Sequence, residues 1–186
     1  MKDEEIMTME GENNMAEVTD FNVGANVKAA RRLLKTYVNV GSSTEDWELV
    51  GKGVEESSIE LNPNLEKVTD ILGITESSIT KWEPVQTLEP NTVRGGSKLN
   101  FKLHKIWEEK KPELLSQFDI LLVYQYIGDV STGSYEAEKQ TGCTISITSL
   151  GGSANVDMPI EINYSNESKK GTVTYTDDKP AFSPAS

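Results

Sequence analysis

The chain has 186 residues and carries 18 Lys and Arg against 30 Asp and Glu, a formal net charge of −12. That length suits one domain with its own core, and the acidic balance argues against a groove that grips DNA through clustered cations. A single cysteine, Cys143, excludes an internal disulfide framework, and no apolar run is long enough to cross a bilayer, so no membrane insertion is expected.

Residues 1–27 read as an acidic, disordered arm, with seven acids and one base in the first 25 positions. Its opening stretch has no apolar core of the kind a secretory signal needs. The β domain is expected over residues 28–178. Within it, Leu34, Thr36, Val38 and Val40 alternate as in a strand, and strand character resumes at Trp47-Glu48-Leu49-Val50. Residues 57–61 form a short strand closed by Asn62-Pro63-Asn64, a turn signal. Residues 65–72 read as a strand ended by Gly73. Residues 79–88 read as one further strand, which Pro84 demotes to an edge or bulge.

Gly95-Gly96-Ser97 precedes the one clear helix. Ser97 is its N-cap, and Leu99, Leu103, Ile106 and Trp107 form one apolar stripe. Lys110 and Lys111 close it, where cations suit the helix dipole. Residues 118–127 read as a strand apolar on both faces, with Ile120, Leu122 and Tyr124 opposite Leu121 and Val123. Such a strand is covered on both sides, and the preceding helix is the cover for one of them.

The most regular pattern lies in residues 142–164. Cys143, Ile145 and Ile147 alternate with Thr144, Ser146 and Thr148. After Gly151-Gly152, which reads as a tight turn, Ala154, Val156, Met158, Ile160, Ile162 and Tyr164 alternate with Asn155, Asp157, Pro159, Glu161 and Asn163. The pair reads as a long hairpin with one apolar and one wet face. A last strand at residues 172–176 puts Val173 and Tyr175 inward, and residues 179–186 read as a C-terminal tail. The fold class expected is α+β, mainly antiparallel: a β-sandwich or barrel of eight to ten strands with one flanking helix.

The search for chemistry gives little. His104 is the sole histidine and lacks partners at ligand spacing. Cys143 falls on an apolar strand face. Arg94-Gly95-Gly96-Ser97-Lys98 opens a helix but lacks the spacing of a phosphate loop. Asp177-Asp178 lacks a surrounding calcium loop. Glu55-Glu56 and Glu108-Glu109 are sequence neighbours, as expected of a soluble surface. Trp47, Trp82 and Trp107 could stack sugars if exposed, with Trp82 the best placed. No catalytic residue, metal or cofactor is expected.

Charge is also blocked along the chain. Residues 40–93 hold eleven acids and three bases, and residues 94–111 hold six bases and two acids. Opposite blocks can pair within a domain or between subunits.

Several blocks together resemble the phage major tail protein family, the tail tube proteins. They are Trp47-Glu48-Leu49-Val50-Gly51-Lys52-Gly53; Asn62-Pro63-Asn64 through Asp70-Ile71-Leu72-Gly73; Trp82-Glu83-Pro84; and Thr92-Val93-Arg94-Gly95-Gly96-Ser97-Lys98-Leu99. Gly133-Ser134-Tyr135-Glu136-Ala137 and Gly151-Gly152-Ser153 through Asp157-Met158-Pro159-Ile160 continue the resemblance, which spans most of residues 33–178. It implies a structural virion protein, made in the bacterial host cytoplasm and assembling with itself into rings, usually hexameric, stacked as a tube. Its implied partners are a tape-measure protein, tail terminator and baseplate or tip proteins, and a sheath if the tail contracts. DNA passes through the lumen without specific binding. On that reading the wet face of the hairpin lines the lumen: Asn155, Asp157, Glu161 and Asn163, with Thr144, Ser146 and Thr148. The alternatives are a carbohydrate-binding or adhesive β-sandwich module, which needs exposed aromatic platforms, and a small hydrolase.

Overall fold

The computed structural model describes residues 21–54, 57–165 and 167–185. Eleven strands and one α-helix are present among them. In chain order the strands are β1 (Leu34–Asn39), β2 (Trp47–Leu49), β3 (Ile59–Glu60), β4 (Pro63–Thr69), β5 (Thr75–Trp82) and β6 (Val85–Leu88). Helix α1 (Lys98–Glu109) follows, then β7 (Phe118–Asp129), β8 (Ser134–Ile147), β9 (Ile160–Asn163), β10 (Ser168–Thr176) and β11 (Lys179–Pro184). The fold is mainly antiparallel α+β, as expected.

Nine strands form one curled sheet, and β8 is its hinge. The first part of β8, from Tyr135 to Gln140, pairs β7 on one side and β10 on the other. Its last part, Thr144 to Ile147, pairs β9 instead. Between the two, the register against β7 slips: Phe118 faces Cys143 while Ile120 faces Gln140. The extra β8 residue lies beside Gly142, which has φ of +70°. A bulge with glycine in the left-handed region bends a strand and raises its twist. The chain can therefore curl β8-β9-β6-β3 toward β2-β1-β7-β8, giving the half-barrel.

The alternation read in β7 sets the two faces. Ile120 and Leu122 join Val38, Ile145, Ile160, Ile162 and the helix residues Leu99, Leu103 and Ile106 in the main core. Leu121 and Val123 point the other way and pack with Tyr37, Ala137 and Val173, flanked by Trp47, Tyr135, Tyr175 and Phe182. The helix covers one face of β7, as expected, and aromatic side chains of the sheet itself flank the second cluster.

Several expectations are corrected. Trp107 is not on the core stripe: it is half-exposed, with the Lys110 ammonium 3.9 Å from its ring centroid. Asn100 takes the buried place on the helix. Residues 179–184 are not a tail but strand β11, paired with β10 along its length. The cause is Asp177-Asp178, both at positive φ, which makes a two-residue turn matched to strand twist. Pro180 and Pro184 are tolerated because β11 is an edge. Residues 79–88 divide into β5 and β6, which enter different sheets. Of the expected arm, residues 1–20 lie outside the described residues, but Asn22 is anchored on β7. Its backbone N–H donates to the Tyr126 carbonyl at 3.0 Å and its side-chain amide to the Gln125 carbonyl at 2.9 Å.

The loop of the wet hairpin is also longer than read. Gly151 and Asp157 exchange backbone hydrogen bonds at 2.9 and 2.8 Å, so the turn spans residues 152–156. The segment after it is drawn to residues 91–93. Val93 donates to the Val156 carbonyl and Met158 to the Asn91 carbonyl. Ala154 and Val156 are consequently exposed, Pro159 is buried together with Met158, and the alternation holds only from Ile160 to Tyr164. Pro159, which cannot donate, stands just before β9 and accepts at its carbonyl from the Thr148 N–H and hydroxyl.

Candidate functional site

Register places the wet residues of β8 and β9 side by side. Thr144 faces Asn163 and Ser146 faces Glu161. Strand β6 extends the face, with Val85 opposite Asn163 and Thr87 opposite Glu161. Glu60 of β3 follows opposite Val85. Directly opposed residues share a face, so the strip is Thr144, Asn163, Val85 and Glu60 beside Ser146, Glu161 and Thr87. The Asn163 amide donates to a Glu161 carboxylate oxygen at 3.0 Å, fixing both side chains along the strand. No lysine or arginine reaches ion-pair distance of Glu161 among the described residues.

Four of the seven expected residues are thus brought together: Thr144, Ser146, Glu161 and Asn163. Asp157 is diverted. Its carboxylate accepts from the Thr92 hydroxyl at 2.7 Å and pins the loop to residues 91–93. Asn155 lies exposed in the turn. Thr148 is exposed beyond the end of β8, its hydroxyl used on the Pro159 carbonyl. Thr87 and Glu60 are members of the strip that the sequence reading missed. Neither belongs to the 142–164 pattern, and only the pairing of β6 with β9 brings them to it.

The opposite face of the same strands is apolar apart from two buried amides: Gln140 of β8, whose side-chain oxygen has no hydrogen-bond partner among the described residues, and Gln86, which is 1% exposed. Its carbonyl oxygen accepts from the Tyr164 hydroxyl at 2.6 Å and the Thr36 hydroxyl at 3.1 Å, and its amide donates to the Ser57 hydroxyl at 3.0 Å. A buried amide in a polar network is tolerated when its groups are satisfied. Burial also raises the Tyr164 hydroxyl above its ordinary value near 10. This network ties β1, β6, residue 57 and residue 164 together behind the polar strip.

Other candidates for chemistry stay dispersed. Cys143 is fully buried, and burial raises its thiol above the ordinary range. His104 is exposed beside the Trp107 ring. No cluster of three or more His, Cys, Asp or Glu suited to a metal occurs among the described residues. Glu55-Glu56 lies outside them. Trp82, read as the best placed of the three tryptophans, is half-exposed at the base of the β4–β5 hairpin, no more so than Trp107, and Trp47 packs on the sheet. The Arg94–Lys98 stretch leads into the helix, where Ser97 caps as read: its hydroxyl oxygen accepts from the Asn100 N–H at 3.1 Å. Glu48 of β2 completes that cap. It accepts from the Ser97 hydroxyl at 2.6 Å and the Leu99 N–H at 2.9 Å. A carboxylate is favoured there because the helix N-terminus carries partial positive charge.

No family model matches the chain, and no curated protein matches it. Among solved structures it is similar to the sheath/tube terminator of PVC, an extracellular contractile injection system, in the extended state. The two share 10% identity at a TM-score of 0.50, over 79% of this chain and 99% of that one. It is also similar to the tube-terminating cap of the anti-feeding prophage, AFP, at 12% identity and a TM-score of 0.47, over 85% of this chain and 99% of that one. At such identity the likeness to the PVC terminator is one of fold.

Proposed function

We propose that this chain is a structural subunit of a phage tail tube or a related contractile particle, assembling with itself into rings around a lumen. The observation that carries the proposal is the open half-barrel. Strands β2, β3 and β11 are edges of the curled sheet, and unpaired edges are a liability unless covered or paired with another chain. Ring closure pairs them through heterologous contacts, which need two different complementary surfaces on each copy. The resemblance in residues 33–178 to major tail proteins supports the same reading.

In this proposal Glu161, Asn163, Thr144 and Ser146 face the lumen as one polar strip, with Asp157, Asn155 and Thr148 at its rim. Carboxylates there repel phosphates, so DNA slides without being held. The partners are further copies of the chain, a tape-measure protein, the tail terminator and baseplate or tip proteins, with a sheath if the tail contracts. The setting is the tail of a virion or similar particle assembled in the host cytoplasm. No catalytic step is part of the proposal.

A second reading is favoured by the fold shared with the PVC sheath/tube terminator: one ring of this chain closes the end of a tube instead of building its length. Electron microscopy of the purified protein separates the two. Stacked rings or tubes support the tube subunit, and single rings of fixed copy number support the terminator. Monodisperse monomer at high concentration overturns both, and retention on a carbohydrate matrix, eluted by free sugar, favours an adhesive module instead. A ring map with Glu161 on the outer wall overturns the lumen assignment.

A further inference from the structure

The β4–β5 hairpin forms a two-stranded sheet of its own, and every residue from Pro63 to Trp82 is exposed. Isolated two-stranded hairpins are marginal in water, because neither face is buried. This one nevertheless carries Leu65, Val68, Ile71, Leu72, Ile74 and Ile79 into solvent, with Ile71 wholly exposed. Its tip is well ordered by its own bonds. The Asp70 carboxylate accepts from the Leu72 and Ile74 N–H groups, both at 2.9 Å. Asp70 and Ile74 are joined by a backbone bond at 3.0 Å, and Gly73 sits at φ of +79°. The tip therefore presents Ile71 and Leu72 in a fixed shape. Behind it, register puts Val68 beside Glu76 and Glu66 beside Ser78 on one face, so the carboxylates flank an apolar end.

A complementary groove lies elsewhere on the molecule. A cavity of about 900 Å³ runs between α1, the end of β1 and the turn after the helix. Phe101 and Leu114 are exposed along it, and Lys98, Lys102 and Lys105 edge it against one carboxylate, Glu109. Lys98 and Lys105 have carboxylate partners. Lys102 is in no ion pair among the described residues. Its ammonium donates to the Val40 carbonyl at 3.5 Å and lies 4.9 Å from the Phe118 ring centroid, and burial lowers its pKa. A partly desolvated cation over a buried ring, with Phe101 exposed in the same groove, is suited to receive a carboxylate and an apolar side chain together.

We propose that the β4–β5 hairpin of one copy seats in this groove of a second copy, with Ile71 and Leu72 against Phe101 and Leu114 and the carboxylates of Glu66 and Glu76 toward Lys102. This rests on the reading that the chain self-assembles, and it supplies the joint. Knob and groove are different surfaces, so the contact is head-to-tail and propagates until a ring closes. The signs agree: the hairpin carries Glu66, Asp70 and Glu76 against Lys67 and Lys81, and the helix falls within the basic residues 94–111. The preordered tip lowers the entropic cost of docking.

The test is sedimentation velocity over a concentration series on the full chain and two variants, I71D/L72D and K102E. Thermal unfolding serves as the fold control, since the altered residues lie at the surface or groove rim. Weakening of self-association by roughly thirtyfold or more in I71D/L72D, with unchanged melting, is the expected result. A second measurement mixes a Leu72→Cys preparation with a Phe101→Cys preparation under mild oxidation. A disulfide-linked pair containing one of each is expected. If the wild type assembles, the variants assemble equally and no mixed cross-link forms, the joint is overturned while the tube reading stands. If the wild type does not assemble at any concentration, both fall. If the variants assemble normally and fail only to join the parent particle, the hairpin serves a different protein and the second-copy proposal is overturned.

Discussion

Replacing Glu48 by alanine removes the outside half of the α1 cap. In the native chain the first turn of the helix is satisfied from two sources. Ser97 accepts from Asn100, and Glu48 accepts from both Ser97 and Leu99. Each charge-assisted bond contributes about 1.5–3 kcal/mol when shielded, and the dipole interaction adds about 0.3–1. Glu48 is part-buried, so water replaces some of the loss, and a net cost of about 2–3 kcal/mol is expected for E48A. In a chain of this length that lowers the melting temperature by roughly 4–12 °C. Glu48→Gln keeps the reach and removes the charge, at a cost of about 1 kcal/mol. Ser97→Ala costs about 0.5–2 kcal/mol. Because Ser97 and Glu48 share a hydrogen bond, the double variant should lose less than the sum, by about 0.5 kcal/mol or more. Urea titrations followed by circular dichroism measure all four. An E48A effect within about 0.5 kcal/mol of zero, or strict additivity with S97A, refutes the shared cap.

Two further outcomes test the buried network. Gln86→Leu strands the Thr36 and Tyr164 hydroxyls and should cost about 2–5 kcal/mol, whereas Tyr164→Phe leaves Gln86 bonded to Thr36 and should cost about 1 kcal/mol in the same titration. Tyr124 and Tyr164 are held above the ordinary hydroxyl value near 10 chiefly by burial. Above pH 10 the unfolded chain releases these protons and the folded chain keeps them, so the unfolded state binds fewer protons and stability falls as pH rises. The expected slope is about 1.4 kcal/mol per pH unit for each tyrosine, and it should shrink by about one group in Y164F; an unchanged slope in that variant refutes the assignment.

Local order was legible wherever one periodic pattern faced one environment. The alternation in β7 separated two cores because both faces are covered, and the 99–103–106 spacing with Ser97 before it defined the helix and its cap. Trp107 misled because a stripe one residue too wide looks the same on a helical wheel, and its exposure depends on where the sheet ends. The run at 154–164 misled because alternation continues through Ala154 and Val156, yet residues 91–93 capture the backbone of 156–158. Asp177-Asp178 offered a local turn signal, but two prolines after it read as the end of structure.

By itself, the sequence determined the class of fold, the helix, the apolar face of β9 and the acidic character of the chain. Each of those rests on short-range periodicity or on summed composition, which need no knowledge of neighbours. Tertiary structure alone decided that Glu161 and Asn163 meet Thr87 as well as Thr144 and Ser146, that Asp157 is spent on Thr92, and that Glu48 caps a helix fifty residues away. It also decided that residues 63–82 form a sheet of their own with both faces exposed. Those facts are set by strand pairing and by the bend at Gly142, which join segments far apart in the chain, and no local pattern encodes which partner a strand edge will find.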